Sequence, residues 1–195
     1  MLTILKGQGD QVPETCPTCP GDCVPVEPTF RCVDCFDNRL VCQDCCVTSH
    51  ATNPLHRIEW NGKFFVSLRR LGLVVQLGHL DGSECYNPTR GLSKFIVVDT
   101  NGIHHVQLNY CGCKRSISTL TAVQHQKWEQ LMRVRWFPGT HTRPKTAFAF
   151  QMLMQFHILT LLGKINGFDY YRGLERLTDN TGKKIPVSWS ALFFS

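Results

Sequence analysis

Hydrophobic positions change their rhythm along this chain. Residues 1–12 are mostly polar and predict a flexible lead-in. Across 13–60 apolar residues are too few for a core and stand between prolines, acids and cysteines; Pro25-Val26-Glu27-Pro28 reads as an extended connector, because a residue before proline avoids helical geometry. From Trp60 to about residue 122 short runs predict strands. Leu73-Val74-Val75-Gln76-Leu77 is one, closed by Gly78. Phe95-Ile96-Val97-Val98-Asp99 and Ile103-His104-His105-Val106-Gln107-Leu108 flank Thr100-Asn101-Gly102. Asn-Gly between two such runs is a strong hairpin cue, since both residues tolerate positive φ.

After residue 121 the spacing turns helical. Over 122–136, Trp128, Leu131, Met132 and Arg135 share a face, and Pro138-Gly139 closes the element. Thr146 to Leu162, rich in Phe, Met and Leu, predicts a second helix that stops at Gly163. The Phe and Met positions of 148–156 are expected in a core rather than a cofactor pocket. A third helix is expected over 167–178, where Phe168, Tyr171, Leu174 and Leu177 recur every three residues and predict one buried stripe. There is no internal repeat.

Composition changes this picture at one point, the cysteines. There are 11 in 195 residues, and eight lie between Cys16 and Cys46; Cys85, Cys111 and Cys113 follow later. Such density needs disulfides or metal. Disulfides call for an oxidising compartment, yet Met1-Leu2-Thr3-Ile4-Leu5 is too short for a signal-peptide core and the cysteine count is odd. No run approaches the roughly 20 apolar residues of a transmembrane helix. Metal is the better reading.

The ligands stand in pairs: Cys16/Cys19, Cys32/Cys35, Cys42/Cys45 and His50/His56. Two residues between the cysteines of a pair let one turn aim two sulfurs at one ion. Eight ligands fill two tetrahedral shells and leave no position open, which marks structural rather than catalytic zinc. A short hairpin around Asp37-Asn38 favours cross-bracing, with Cys16, Cys19, Cys42 and Cys45 on one zinc and Cys32, Cys35, His50 and His56 on the other; sequential pairing is the alternative. Cys23 and Cys46 are surplus, each a free thiol or a substitute ligand. His79, Cys85, Cys111 and Cys113 suggest a third zinc site, set against the alternative of ordinary buried cysteines; His104 or His105 could displace His79.

The fold class expected is α+β: a cross-braced zinc module over 13–60, a β-rich region with a hairpin over 61–122, a helical region over 123–180, and a tail over 181–195. Net charge is +6, divided unevenly. Residues 1–60 carry four Lys/Arg and eight Asp/Glu, or −4; residues 61–195 carry 17 and seven, or +10. Attraction to phosphate therefore belongs to the second part. Lys114, Arg115, Lys127, Arg133, Arg135, Arg143 and Lys145, interleaved with Trp128, Trp136 and Phe137, form the candidate nucleic-acid face, against the alternative of inward aromatics and merely solvated charges.

The run Cys32-Val33-Asp34-Cys35, Cys42-Gln43-Asp44-Cys45-Cys46, His50 and Pro54-Leu55-His56-Arg57-Ile58-Glu59-Trp60 resembles the CxC-type (type two) cysteine cluster attached to KDZ (Kyakuja-Dileera-Zisupton) transposases of fungi. The likeness continues through Leu71 to His79, Asp99 to His104, Cys111-Gly112-Cys113, Arg135-Trp136-Phe137-Pro138, Arg143 to Phe148 and Leu174 to Asn180. The first module also resembles a B-box type of cross-braced zinc domain, which supports the cross-braced pairing. The resemblance implies a mobile-element protein, nuclear, whose zinc region precedes an RNase H-like catalytic domain. The chain ends at Ser195 where that pattern would continue, so a truncated or decayed copy, or a gene model cut short, is expected.

Three functions compete. The first is a non-catalytic zinc module that recognises protein or DNA, with no membrane and no small-molecule substrate. The second is a fragment of an active RNase H-like transposase, which needs acids on several strands to hold paired metals. Asp99 ends a strand, but Asp81, Asp169 and Asp179 fall in loop, helix and turn, so this reading is set aside. The third is a ubiquitin-ligase-type module, which rests on fold analogy alone.

Overall fold

The computed structural model describes residues 14–19, 26–79, 83–116, 122–124, 126–179 and 181, with backbone alone at 114–116 and 122–124. Cys23, Asp81 and the tail of 182–195 lie outside them. Helices and sheets are both present, in two compact units, Met1–Leu73 and Val74–Ser195.

In the first unit β1 (Phe30–Cys32) pairs antiparallel with β2 (Ile58–Trp60), which pairs with β3 (Phe64–Val66); α1 (Gln43–Ser49) lies between β1 and β2 in sequence. Asn61 and Gly62 turn β2 into β3 with φ of 48° and 65°, a second Asn-Gly hairpin. Arg31 and Glu59 stand opposite each other across β1 and β2 and form an ion pair at 2.7 Å. Behind the sheet, Phe30, Cys32, Cys46, Ile58, Leu68, Leu71 and Leu73 form a small apolar core. The last three explain why this unit runs to Leu73 rather than stopping after Trp60. Ligand spacing ends at His56, but the residues that close the core come later.

The second unit is built on β6 (Phe95–Asp99) and β7 (Gly102–Cys111), preceded by β4 (Val74–Gln76) and β5 (Pro88–Arg90). The expected hairpin forms, with Val97 opposite His104. Its turn is Thr100-Asn101, however, and only Gly102 takes a positive φ, of 146°. The first half of β7 pairs with β6; its second half lies between β4, parallel, and β5, antiparallel, and Asn109 faces Gln76 and Arg90.

Beyond it come β8 (Lys114–Ser116) paired with β9 (Ala122–Gln124), then α2 (Lys127–Arg133), β10 (Trp136–Pro138), β11 (Thr146–Ala149), α3 (Phe150–Gly163) and α4 (Gly167–Thr178). The main sheet runs β10-β11-β6-β7-β4, with β11 parallel to β6.

Two expected helices are shorter than the periodicity suggested. Residues 122–124 are strand, a capping box of Gln126 and Glu129 starts α2, and Arg135, at φ 61°, follows its end. Thr146–Ala149 is a fully buried strand between β10 and β6, because four consecutive apolar-compatible residues fit a sheet covered on both faces as well as a helix. Phe148 and Met152 are core, as expected, but Met154 is 66% exposed. Of the stripe on α4, Tyr171 and Leu174 are buried while Phe168 and Leu177 are exposed. Thr178, the last residue of α4, accepts the Ile103 N–H through its hydroxyl at 2.8 Å. A Cβ at Gly102 would come within 2.9 Å of that hydroxyl, which fixes glycine there.

Candidate metal centres

Three sets of four ligands converge, each with its donor atoms within 4.8 Å of one another: Cys16, Cys19, Cys42 and Cys45; Cys32, Cys35, His50 and His56; His79, Cys85, Cys111 and Cys113. The first two are cross-braced. The cause is α1. Cys42 is its N-cap and Cys45 lies one turn on, while His50 is its C-cap. A rise of about 1.5 Å per residue separates the two ends by about 12 Å, too far for one ion. The return of Val41 onto Phe30, N–H to O at 2.8 Å, brings Cys42 away from Cys35 and toward the Cys16 loop.

The distances suit a tetrahedral ion. Metal–sulfur bonds of about 2.3 Å at tetrahedral angles put sulfurs about 3.8 Å apart, and sulfur–nitrogen edges come near 3.6 Å. Cys19 Sγ lies 3.6 Å from Cys42 Sγ and 3.7 Å from Cys45 Sγ. In the second cluster Cys32 Sγ is 3.5 Å from His56 Nδ1, and Cys35 Sγ is 3.5 Å from His50 Nε2. In the third, Cys113 Sγ lies 3.4 Å from Cys85 Sγ and from His79 Nε2. All three sets fit zinc, and the sulfurs are too far apart for disulfides, whose bond is about 2.0 Å.

Surrounding groups aim these donors. His50 Nδ1 lies 2.8 Å from the Cys46 carbonyl, which only accepts, so Nδ1 holds a proton and Nε2 is the nitrogen turned toward the cluster. Cys46 itself is fully buried in the core and joins neither cluster. Asp34, between Cys32 and Cys35, binds the guanidinium of Arg57 at 2.6 Å and accepts its backbone N–H at 2.7 Å, tying two ligand arms together. The sequence carried this only as opposite charges beside ligands.

The third cluster gathers the end of β7 and two loops. Gly112 must be glycine, because a Cβ would meet the Asn87 carbonyl and the Thr89 hydroxyl at 2.6 Å. His79 donates its N–H to Ser83 O at 3.0 Å, and its Nδ1 lies 2.9 Å from Ser83 Oγ. His104 instead bonds Asn101, and His79 is the histidine that completes this group of four.

The family model described as "CxC2 like cysteine cluster associated with KDZ transposases" matches residues 68–182, more than half of the 195. The chain belongs to this family. All four ligands of the third cluster fall inside the CxC2 match, and the eight of the other two precede it. No curated protein and no solved structure matches the chain.

Thiol ionisation in the CxC2 chain is uneven. Burial pushes Cys16 up, but hydrogen bonds from Thr18 and the Cys42 N–H outweigh it and bring the thiol down to about 6. Cys85 is likewise pushed up by burial and brought down to about 6 by the Asn87 backbone and its neighbouring cysteines. Bonding to Cys42, then burial, holds Cys19 well above the usual thiol range. A bond to the Cys46 side chain pushes His50 up to about 9, so an incoming ion displaces a proton there.

The basic residues divide. Lys127, Arg135, Arg143 and Lys145 are exposed; Lys127 lies over the Tyr110 ring at 5.3 Å and Arg135 over Phe150 at 5.7 Å. Trp128 stacks on His141 at 4.8 Å, which brings the start of α2 beside the loop that holds Arg143. Arg133 turns inward to Gly78, and Trp136 is buried while Phe137 is exposed. The side chains of Lys114 and Arg115 lie outside the described residues.

Proposed function

We propose that this CxC2 chain is a non-catalytic recognition module of a KDZ-type mobile-element protein, shaped by three structural zinc ions and acting in the nucleus. The observation that carries the reading is closure: each cluster offers four protein ligands and leaves no position for water or substrate. Thiolate-rich sets favour zinc over magnesium or calcium. The partner in this reading is a macromolecule, DNA or protein. The excess of cations over 61–195 suits phosphate, and the acidic 1–60 suits a protein.

The competing reading, an RNase H-like fragment, draws on Asp99 at the end of β6 beside the parallel β11. Against it, both Asp99 carboxylate oxygens accept from the Gln151 amide, at 2.7 and 2.8 Å, and Oδ1 also takes the Thr100 N–H. Among the described residues, no helix is long and apolar enough to cross a membrane. Metal analysis of protein never exposed to chelator tests the proposal: three zinc ions per chain are expected, and fewer than two, or iron or copper in their place, would sink it.

A further inference from the structure

One turn of α2 reaches both arms of the third cluster. Gln130 is fully buried, an uncommon place for a glutamine, and it holds both backbone polar groups of one residue. Its Oε1 accepts the Cys111 N–H at 2.7 Å and its Nε2 donates to the Cys111 carbonyl at 3.1 Å. A strand-end residue would ordinarily find these partners in a neighbouring strand. Here a side chain supplies them, so the setting of Cys111 follows the setting of α2.

Three residues along the same helix, Arg133 donates through Nη2 to the Gly78 carbonyl at 3.2 Å. Gly78 precedes the ligand His79 and sits at φ 55°, where a Cβ would meet Ser83 O at 2.7 Å. Its peptide is thus gripped by Arg133 on one side and by the tight return to Ser83 on the other. Arg133 has no ion pair among the described residues, and its Nε is buried without a hydrogen-bond partner among them. Three thiolates with one divalent ion leave a cluster at −1, so a cation held beside one of its ligands also offsets that charge.

We propose that Gln130 and Arg133 are positioning residues that set the metal affinity of the His79, Cys85, Cys111 and Cys113 site. Gln130 fixes the sulfur arm on β7, and Arg133 fixes the imidazole arm across from it. The proposal rests on the zinc reading above for this cluster. Neighbours that orient metal ligands typically change affinity by about 10- to 100-fold when removed.

The test uses the full chain. Zinc-loaded parent, Gln130→Met and Arg133→Met are titrated with a zinc chelator, released zinc is counted, and freed thiols are alkylated and mapped by mass spectrometry. Each variant is expected to free Cys85, Cys111 and Cys113 at about 10- to 100-fold lower chelator strength, with Cys16, Cys19, Cys32, Cys35, Cys42 and Cys45 unchanged. Arg133→Lys should recover part of the loss by keeping the charge. Leu131→Ala, buried on the same helix and with no polar side-chain group to hold either arm, controls for general loosening of the unit. If Leu131→Ala lowers zinc retention as much as Gln130→Met at equal loss of Tm, or if both methionine variants hold zinc like the parent, the positioning role is refuted. If the parent's own Cys85, Cys111 and Cys113 alkylate without chelator, the zinc reading of this cluster falls, and the inference falls with it.

Discussion

The imidazole of His50 donates its Nδ1–H to the carbonyl of Cys46 at 2.8 Å, and its Nε2 is left 3.5 Å from Cys35 Sγ. One backbone acceptor in the last turn of α1 therefore fixes which nitrogen of His50 faces the cluster and the direction of its ring. Substituting His50 by glutamine should lower zinc affinity of the second cluster by at least tenfold, and a chelator competition with thiol mapping would show Cys32 and Cys35 freed first.

Cys32→Ser should release one ion and open the first unit. Structural zinc in small modules contributes on the order of 10–16 kcal/mol at neutral pH, and the core behind it is seven buried residues. The second unit has its own sheet, so α3 and α4 should stay protected from hydrogen exchange. Loss of protection in α4 together with β1 would show that the two units unfold as one.

Acidification should slow zinc capture by the metal-stripped protein. Cys85, in the unit that keeps its own sheet, is brought down to about 6 from 9.0, so it is a thiolate at pH 7 and takes up a proton as pH falls through 6. The stability it lends the metal-free unit is complete above pH 9 and lost on the way down through 6. Capture rates followed with a chromophoric zinc chelator should fall between pH 7 and pH 5. Flat rates across that span would contradict the ionisation described.

Asp99→Ala should cost about 1–3 kcal/mol, because the Gln151 amide and the Thr100 N–H lose a buried acceptor. Denaturant melts measure this. Neither parent nor variant should nick DNA with magnesium or manganese; nicking by the parent that vanishes in the variant would restore the enzyme reading.

If unit two contacts DNA, the double variant Lys127→Glu and Arg143→Glu should weaken binding and flatten its salt dependence, since each phosphate contact contributes about one to the slope of log K against log salt. Arg133→Met should leave that slope alone, as its guanidinium faces Gly78. A slope unchanged in the double variant would point to a protein partner.

Legibility in the sequence followed the range of each interaction. Cysteine pairs with two residues between their members, the β6–β7 hairpin and the span of α4 are local matters, and spacing, turn residues and apolar period were enough to read them. Family membership followed from the same local runs. Boundaries were lost where a local signal served two structures: Thr146–Ala149 fits helix or strand until β10 and β6 flank it, and α2 shortened because its cap and the left-handed Arg135 overrode a continuing period. Which pairs share a site could be argued from the Asp37-Asn38 turn, but α1, standing between its two sets of ligands, is what separates them.

The residues that support the clusters were beyond any such reading. Asp34 meets Arg57, Gln130 meets Cys111 and Arg133 meets Gly78 across 23, 19 and 55 positions. A glutamine or an arginine in a polar stretch looks like solvent-facing surface. Its role is decided only when the chain folds back and a buried peptide or carboxylate, cut off from water, has no other partner to take.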